Sequence, residues 1–176
     1  MVGKWHLGEN VESQPQNVGF DDFYGFLSVS DMYTEWRDPH FFPEIVYSDA
    51  RTEWVKNMPF NRCFVHATKG KELTNVEEVT IPVLSQLDEK WCHYSTDFIK
   101  KQAKSDKPWL LYHCTRGAHF DNYPHEKFLG RSPAKHPYKD TLLELGFDLA
   151  LIQRQTSDRS QYDTAWTLSI ARGVLT

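Results

Sequence analysis

Cysteine is scarce in this chain and badly spaced for structural work. Its 176 residues include 3 cysteines, Cys63, Cys92 and Cys114. That is too uneven for a disulfide framework, and no CxxC pair offers a zinc corner. No apolar run approaches membrane-spanning length. Basic residues are not in excess: 20 Lys and Arg against 24 Asp and Glu give a net charge of -4. Nucleic acid is thereby excluded as a partner, because phosphate binding is driven by clustered cations. Lys69-Gly70-Lys71 and Lys100-Lys101 read as solvated surface. There is no repeat and no low-complexity tract, and no signal peptide is expected ahead of Gly3. A reducing cytoplasm is the expected setting.

What is present is apolar and aromatic. A hydrophobic content of 40%, with 14% aromatic residues, suffices for one core and argues against disorder. Pro39, Pro43 and Pro59 interrupt residues 9–60, which should be mostly loop with short strands near Phe26–Val29 and Glu44–Tyr47. Arg62 to Thr68 reads as a strand buried on both faces. Thr80 as a cap and Pro82 in the first turn begin a helix that Leu84, Leu87, Trp91, Phe98 and Ile99 carry to about Lys104. Trp109 to Cys114 then reads as a buried strand of the parallel type. A helix and such a strand make half of a βαβ unit. The expected fold class is α/β, a small mixed or parallel sheet with flanking helices. Residues 117–137 form a long loop at that strand's carboxyl end, where open α/β sheets place their sites. Lys139 to about Gln155 can be helical, with Leu142, Leu145, Leu149 and Ile152 on one stripe. Tyr162 to Ile170 alternates as a strand with one buried face.

Several residues could carry chemistry. Lys4 and His6 flank Trp5, so an extended segment would point both to one side; a frayed terminus is the competing reading. His119, Asp121 and His125 have even spacing, and two imidazoles with a carboxylate make a divalent-metal set completed by water. The same residues also read as a salt-bridged surface loop. Arg116 could clamp an oxyanion bidentately or pair with Asp121. His113 and Cys114 read as core residues. Cys92 and His93 diverge by about 100° on a helix and do not cooperate. Asp21, Asp22, Asp31 and Glu35 read as surface or turn carboxylates.

Three stretches carry a resemblance. Gly3-Lys4-Trp5-His6-Leu7-Gly8 looks like the second signature of the arylsulfatases. Gly19-Phe20-Asp21-Asp22-Phe23-Tyr24-Gly25-Phe26, and Lys107-Pro108-Trp109-Leu110-Leu111-Tyr112-His113-Cys114-Thr115-Arg116-Gly117-Ala118-His119-Phe120-Asp121-Asn122-Tyr123-Pro124, continue it in the same order. The resemblance runs from Gly3 to about Leu145. It implies that Lys4, His6 and His119 reach the sulfate. It also implies a Cys or Ser nucleophile oxidised to formylglycine and a calcium ion held by an early Asp-Asp and a late Asp-Asn pair. The sequence departs from the family on both counts. Cys63, Cys92 and Cys114 do not sit in the Cys/Ser-x-Pro/Ala-x-Arg motif, Asp21-Asp22 lies outside the metal-binding segment, and the late pair does not appear after Leu145.

The expectation is therefore a truncated sulfatase-like segment over residues 1–145. A non-family tail over 146–176, of frameshift or fusion origin, packs on the same domain. Its function reads as weak hydrolysis of activated sulfate or phosphate esters, phosphotriesters included, without the family's ordinary mechanism. Lys4, His6, Arg116 and His119 would be catalytic, and His119, Asp121 and His125 would hold zinc or manganese rather than calcium. A catalytically inactive remnant and an assembly module are the competing readings. Exposed strand edges point to a homodimer or larger homo-oligomer that completes the sheet.

Overall fold

The computed structural model describes residues 1–28, 46–56, 63–119 and 122–157. Five strands form one mixed sheet: β1 (Val2–Lys4), β2 (Asp22–Phe26), β3 (Cys63–Thr68), β4 (Thr74–Glu78) and β5 (His113–Cys114), in the order β4-β3-β2-β1-β5. β2, β1 and β5 run parallel, while β3 and β4 join antiparallel. The helices are α1 (Asp49–Lys56), α2 (Ile81–Leu84), α3 (Leu87–Gln102) and α4 (Pro137–Ser157). The α/β class expected from the sequence is the one observed.

Each sheet face buries its own apolar set. Val2, Phe26 and Phe64 pack with Val79, Leu84, Leu87 and Trp91 beneath α2 and α3. Met1, Phe23, Leu27 and Val65 form a cluster of their own. Burying one such Leu or Phe contributes about 1.5–3 kcal/mol, so this alternation pins the strand register. Cys92, Ile99 and Ile152 close a further cluster between α3 and α4. Among the described residues no helix is long and apolar enough to cross a membrane.

The elements depart from the sequence expectations at definite places. The helix expected from Thr80 to Lys104 breaks after Leu84. Thr80 caps as expected, accepting from the Val83 N–H at 3.4 Å, but the Ser85 hydroxyl bonds back to the Pro82 carbonyl at 2.8 Å and Ser85–Gln86 form a turn between the two helices. The strand expected over Trp109–Cys114 shrinks to His113–Cys114, and Leu110 is 73% exposed. Among the described residues it has a strand partner on one side, β1, so its apolar run is not enclosed as an inner parallel strand would be. β2 begins earlier than expected, at Asp22, and Val29 lies outside the described residues. Glu44 and Ile45 of the segment expected as a strand at Glu44–Tyr47 also lie outside them, and Val46–Tyr47 are not in a strand; all of Tyr162–Ile170 lies outside them. Helix α1 interrupts a region read as loop, and β4 had no clear sequence signal. The strand near Arg62–Thr68 and the helix near Lys139–Gln155 form as expected.

Candidate functional site

The three parallel strands end on one edge of the sheet. In register, Lys4 lies opposite Phe26 and Gly3 opposite Cys114. Their carboxyl ends therefore release three segments side by side: Trp5–His6, Leu27–Ser28 and Thr115–His119. Backbone bonds from Trp5 N–H to Phe26 O (3.0 Å) and from His6 N–H to Leu27 O (2.8 Å) extend the β1–β2 pairing past the strand. The Trp5 indole donates to the Ser13 carbonyl at 2.9 Å and meets the Phe20 ring edge-on. That anchors Trp5, with Lys4 half-buried and His6 exposed beside it. His6 adopts a positive φ of 52°, so the extended run expected through it ends there, and alternation no longer fixes where its ring points.

His119 follows β5 by five residues, half-buried, with its N–H on the Arg116 carbonyl at 3.3 Å. Arg116 itself is buried, 2% exposed. Its N–H donates to Asp88 Oδ1 at 2.8 Å and its Nη2 to the Tyr123 carbonyl at 3.2 Å. It serves as a core counter-ion that holds the 115–119 turn, not as an open oxyanion clamp. Asp121 lies outside the described residues. His125 is buried, with Nε2 3.2 Å from Glu89 and its N–H on Glu144 at 2.9 Å. Among the described residues no three His, Cys, Asp or Glu side chains are grouped to hold a metal ion. The residues described here do not fit the calcium that the resemblance implies, and His125 is already engaged by carboxylates.

Sequence reading missed a buried polar layer between α3, α4 and the 115–128 loop. Asp88, Glu144 and Asp148 are each under 5% exposed. Burial pushes Asp88 upward, partly offset by the Arg116 guanidinium and by N–H donors. It raises Glu144 to about 7 and Asp148 to about 8, with neighbouring carboxylates adding to the second shift. The buried stripe of α4 is Thr141, Glu144, Leu145, Asp148 and Ile152. Leu142 and Leu149 of the expected stripe are half-buried instead. The signal was an i, i+4 acidic spacing on that helix; it reads as surface until Arg116 and the His125 N–H are known to face it. His113 is also structural: its Nδ1 lies 2.7 Å from Ser95 Oγ, and burial lowers it to about 4. Burial raises all three cysteines, Cys92 to about 12.

Together these features define an α/β protein whose candidate site lies at the carboxyl edge of its parallel strands. The sulfatase family profile matches residues 1–167, and the chain belongs to the sulfatase family. It is similar to arylsulfatase G of Mus musculus, 30% identical over 113 residues covering 64% of this chain and 21% of that protein. N-acetylgalactosamine-6-sulfatase of Canis lupus familiaris is 28% identical over 157 residues, covering 87% and 26%. Among solved structures, the PsFucS1 sulfatase of Pseudoalteromonas sp. superposes with a TM-score of 0.73 at 30% identity, over 88% of this chain and 32% of that one. The chain thus spans 21% and 26% of the lengths of these two curated relatives.

Proposed function

We propose that this chain forms the anion-binding part of a sulfate-ester hydrolase site, with Lys4, His6 and His119 facing the ester. The observation that carries this reading is the parallel register of β2, β1 and β5, which releases Trp5–His6 and Thr115–His119 at one sheet edge. A sulfate ester repels nucleophiles, so catalysis needs cations and donors aimed at its oxygens. Lys4 supplies a point charge, and an imidazole supplies the proton for the leaving oxygen. Water as the attacking group, with slow turnover, belongs to the same proposal, since Cys63, Cys92 and Cys114 do not sit in the family's nucleophile motif. Activated sulfates and phosphates, phosphotriesters among them, are the substrates such a site accepts. Arg116 acts from the core by holding the turn that carries His119.

The preference for zinc or manganese over calcium belongs to the same proposal, and no step is routed through the ion. The test is turnover of nitrophenyl sulfate, nitrophenyl phosphate and a nitrophenyl phosphotriester, with and without chelator and with each metal added. Turnover lost in Lys4→Ala and His119→Ala supports the proposal. Turnover unchanged in both removes it, and no turnover by the unaltered chain favours the inactive remnant. The edge position of β5 among the described residues, with Leu110 and Tyr112 exposed beside it, supports a homodimer formed through that edge. Light scattering that gives a monomer mass overturns this assembly.

A further inference from the structure

Helix α4 turns its acids inward and part of its apolar surface outward. Asp140, Glu144 and Asp148 recur every fourth residue on the inward face, beside Leu145 and Ile152, and all are buried. Two of the acids hold the preceding loop. Asp140 accepts the Gly130 and Ser132 N–H groups at 2.8 and 2.9 Å, and Glu144 accepts that of His125 at 2.9 Å. The outward face carries Leu143, Gly146, Phe147 and Ala150, all exposed, at the i, i+3, i+4, i+7 spacing of one stripe. Leu143 is 45% and Phe147 54% exposed.

Charge is divided as unevenly. Lys139 and Arg154, both exposed, stand at the two ends of the stripe. The Asp140 bonds bring residues 130–132 to the first turn of α4, and the Lys135 N–H bonds the Ser132 carbonyl at 2.9 Å. Arg131 and Lys135, exposed, thus add to the cations at that end. Leu129 is exposed on the same loop, and the ring of its neighbour Phe128 lies 5.7 Å from that of Phe147. Of the acids in residues 126–157, Glu126 alone is exposed, next to Lys127, which is paired with Glu89. The outward surface is therefore apolar along its middle and cationic at both ends, because its acids are spent inside.

We propose that this face docks on an anionic phospholipid surface, with Leu143 and Phe147 entering the headgroup region and Lys139, Arg154, Arg131 and Lys135 meeting the lipid charges. Among the described residues no helix is long and apolar enough to cross a membrane, so α4 lies along the surface. A second copy fits poorly: antiparallel pairing of two such stripes sets Lys139 against Arg154, and parallel pairing sets each against its own kind. A soluble polyanion would engage the cations and leave Leu143 and Phe147 in water. An anionic lipid surface satisfies both, since long basic side chains reach headgroups while their stems stay on apolar ground.

The test is flotation of the intact chain with phosphatidylcholine vesicles, with and without phosphatidylserine. Expected is binding to the mixed vesicles, weaker by about tenfold or more on phosphatidylcholine alone and reduced by added salt. Lys135→Gln with Lys139→Gln should weaken it by about tenfold. Leu143→Ser with Phe147→Ser should weaken it at least as much, by about tenfold or more, with melting little changed at exposed positions. Val76→Ser, exposed on β4, and Lys100→Gln, exposed on α3, should leave it unaltered. Should the double serine variant not fold, the two vesicle compositions still decide with the unaltered chain. No binding, equal binding to both compositions, or undiminished binding by a folded double serine variant overturns the proposal. Absent vesicle binding together with a light-scattering mass that falls in that variant gives the face to a second copy, and heparin binding without vesicle binding gives it to a soluble polyanion; either overturns the proposal too. None of these outcomes bears on ester turnover.

Discussion

Gly3 and Gly25 lie opposite each other on β1 and β2, and a β-carbon on Gly25 would stand 1.9 Å from the Gly3 carbonyl oxygen. Gly3 in turn has φ +99°, and its own β-carbon would stand 1.8 Å from the Cys114 carbonyl oxygen on β5. The contacting atoms are backbone and cannot swing away. These two glycines let the three parallel strands close, and so bring Lys4 and His119 to one edge. Gly25→Ala should therefore cost several kcal/mol, in the range of severe overpacking, and read as loss of soluble protein or of cooperative melting. A Gly25→Ala variant that melts like the unaltered chain would contradict this strand packing.

Gly146 gives the opposite expectation. It is exposed within α4, and a β-carbon there would meet nothing within 4 Å. Alanine lowers the entropy of the unfolded chain and favours the helix, so Gly146→Ala should stabilise by about 0.5–1 kcal/mol. Denaturant midpoints measured side by side check it.

The buried acids predict an unusual pH dependence. Folded Glu144 and Asp148 hold their protons to about 7 and about 8, against 4.5 and 3.8 ordinarily. The folded state thus binds more protons than the unfolded chain across that interval, and stability falls as pH rises through it. The contribution is fully present below the unfolded values and gone above the folded ones. His113, lowered to about 4 from 6.5, acts oppositely: its contribution is lost as pH falls from 6.5 to 4. Two carboxyls outweigh one imidazole there, and above 6.5 the carboxyls act without it. Melting temperature should drop by several degrees between about pH 5.5 and about pH 8.5. Glu144→Gln and Asp148→Asn should flatten the slope, and a stability maximum near pH 8 in the unaltered chain would refute the burial of both acids.

The parts of the fold legible in the sequence were those fixed by local pattern. β3 showed as apolar density, and the cap of α2 as Thr80 followed by Pro82. The interval of α4 showed as a 3.6 period. What escaped was set by tertiary contacts. The turn at His6 depends on the backbone continuing to pair with Leu27. The short length of β5 goes with its having one strand neighbour among the described residues, which its own residues do not reveal. Arg116 read as an oxyanion clamp or a partner of Asp121, because the acid that its backbone N–H bonds, Asp88, is 28 residues away. Lys4, His6 and His119 were found by resemblance, and spacing alone would not have joined them.

The cysteines should be chemically quiet. Each thiol is held above its ordinary value by burial, and the thiolate is the reactive form. Alkylation by iodoacetamide at neutral pH should be slower than for glutathione at all three, and slowest at Cys92, which is 1% exposed. Intact-mass analysis should find Cys63, Cys92 and Cys114 unconverted to formylglycine, and replacing each by Ala should leave any ester turnover in place. A formylglycine at one of them would give the chain a nucleophile after all.

Lys4 and Arg116 are both cations of the proposed site region, yet they should fail in different ways. Arg116 is buried against Asp88, so Arg116→Ala leaves a buried carboxyl without its cation and should cost several kcal/mol. Asp88 can escape part of that penalty by taking a proton, so the loss should grow with rising pH. Lys4 is half-buried at the sheet edge, and Lys4→Ala should lower turnover of nitrophenyl sulfate while shifting the melting temperature little. Lys100→Ala, exposed on α3, should alter neither. Melting curves at two pH values, with turnover on the same preparations, separate the roles. An Arg116→Ala variant with unchanged stability and abolished turnover would return Arg116 to direct contact with the ester.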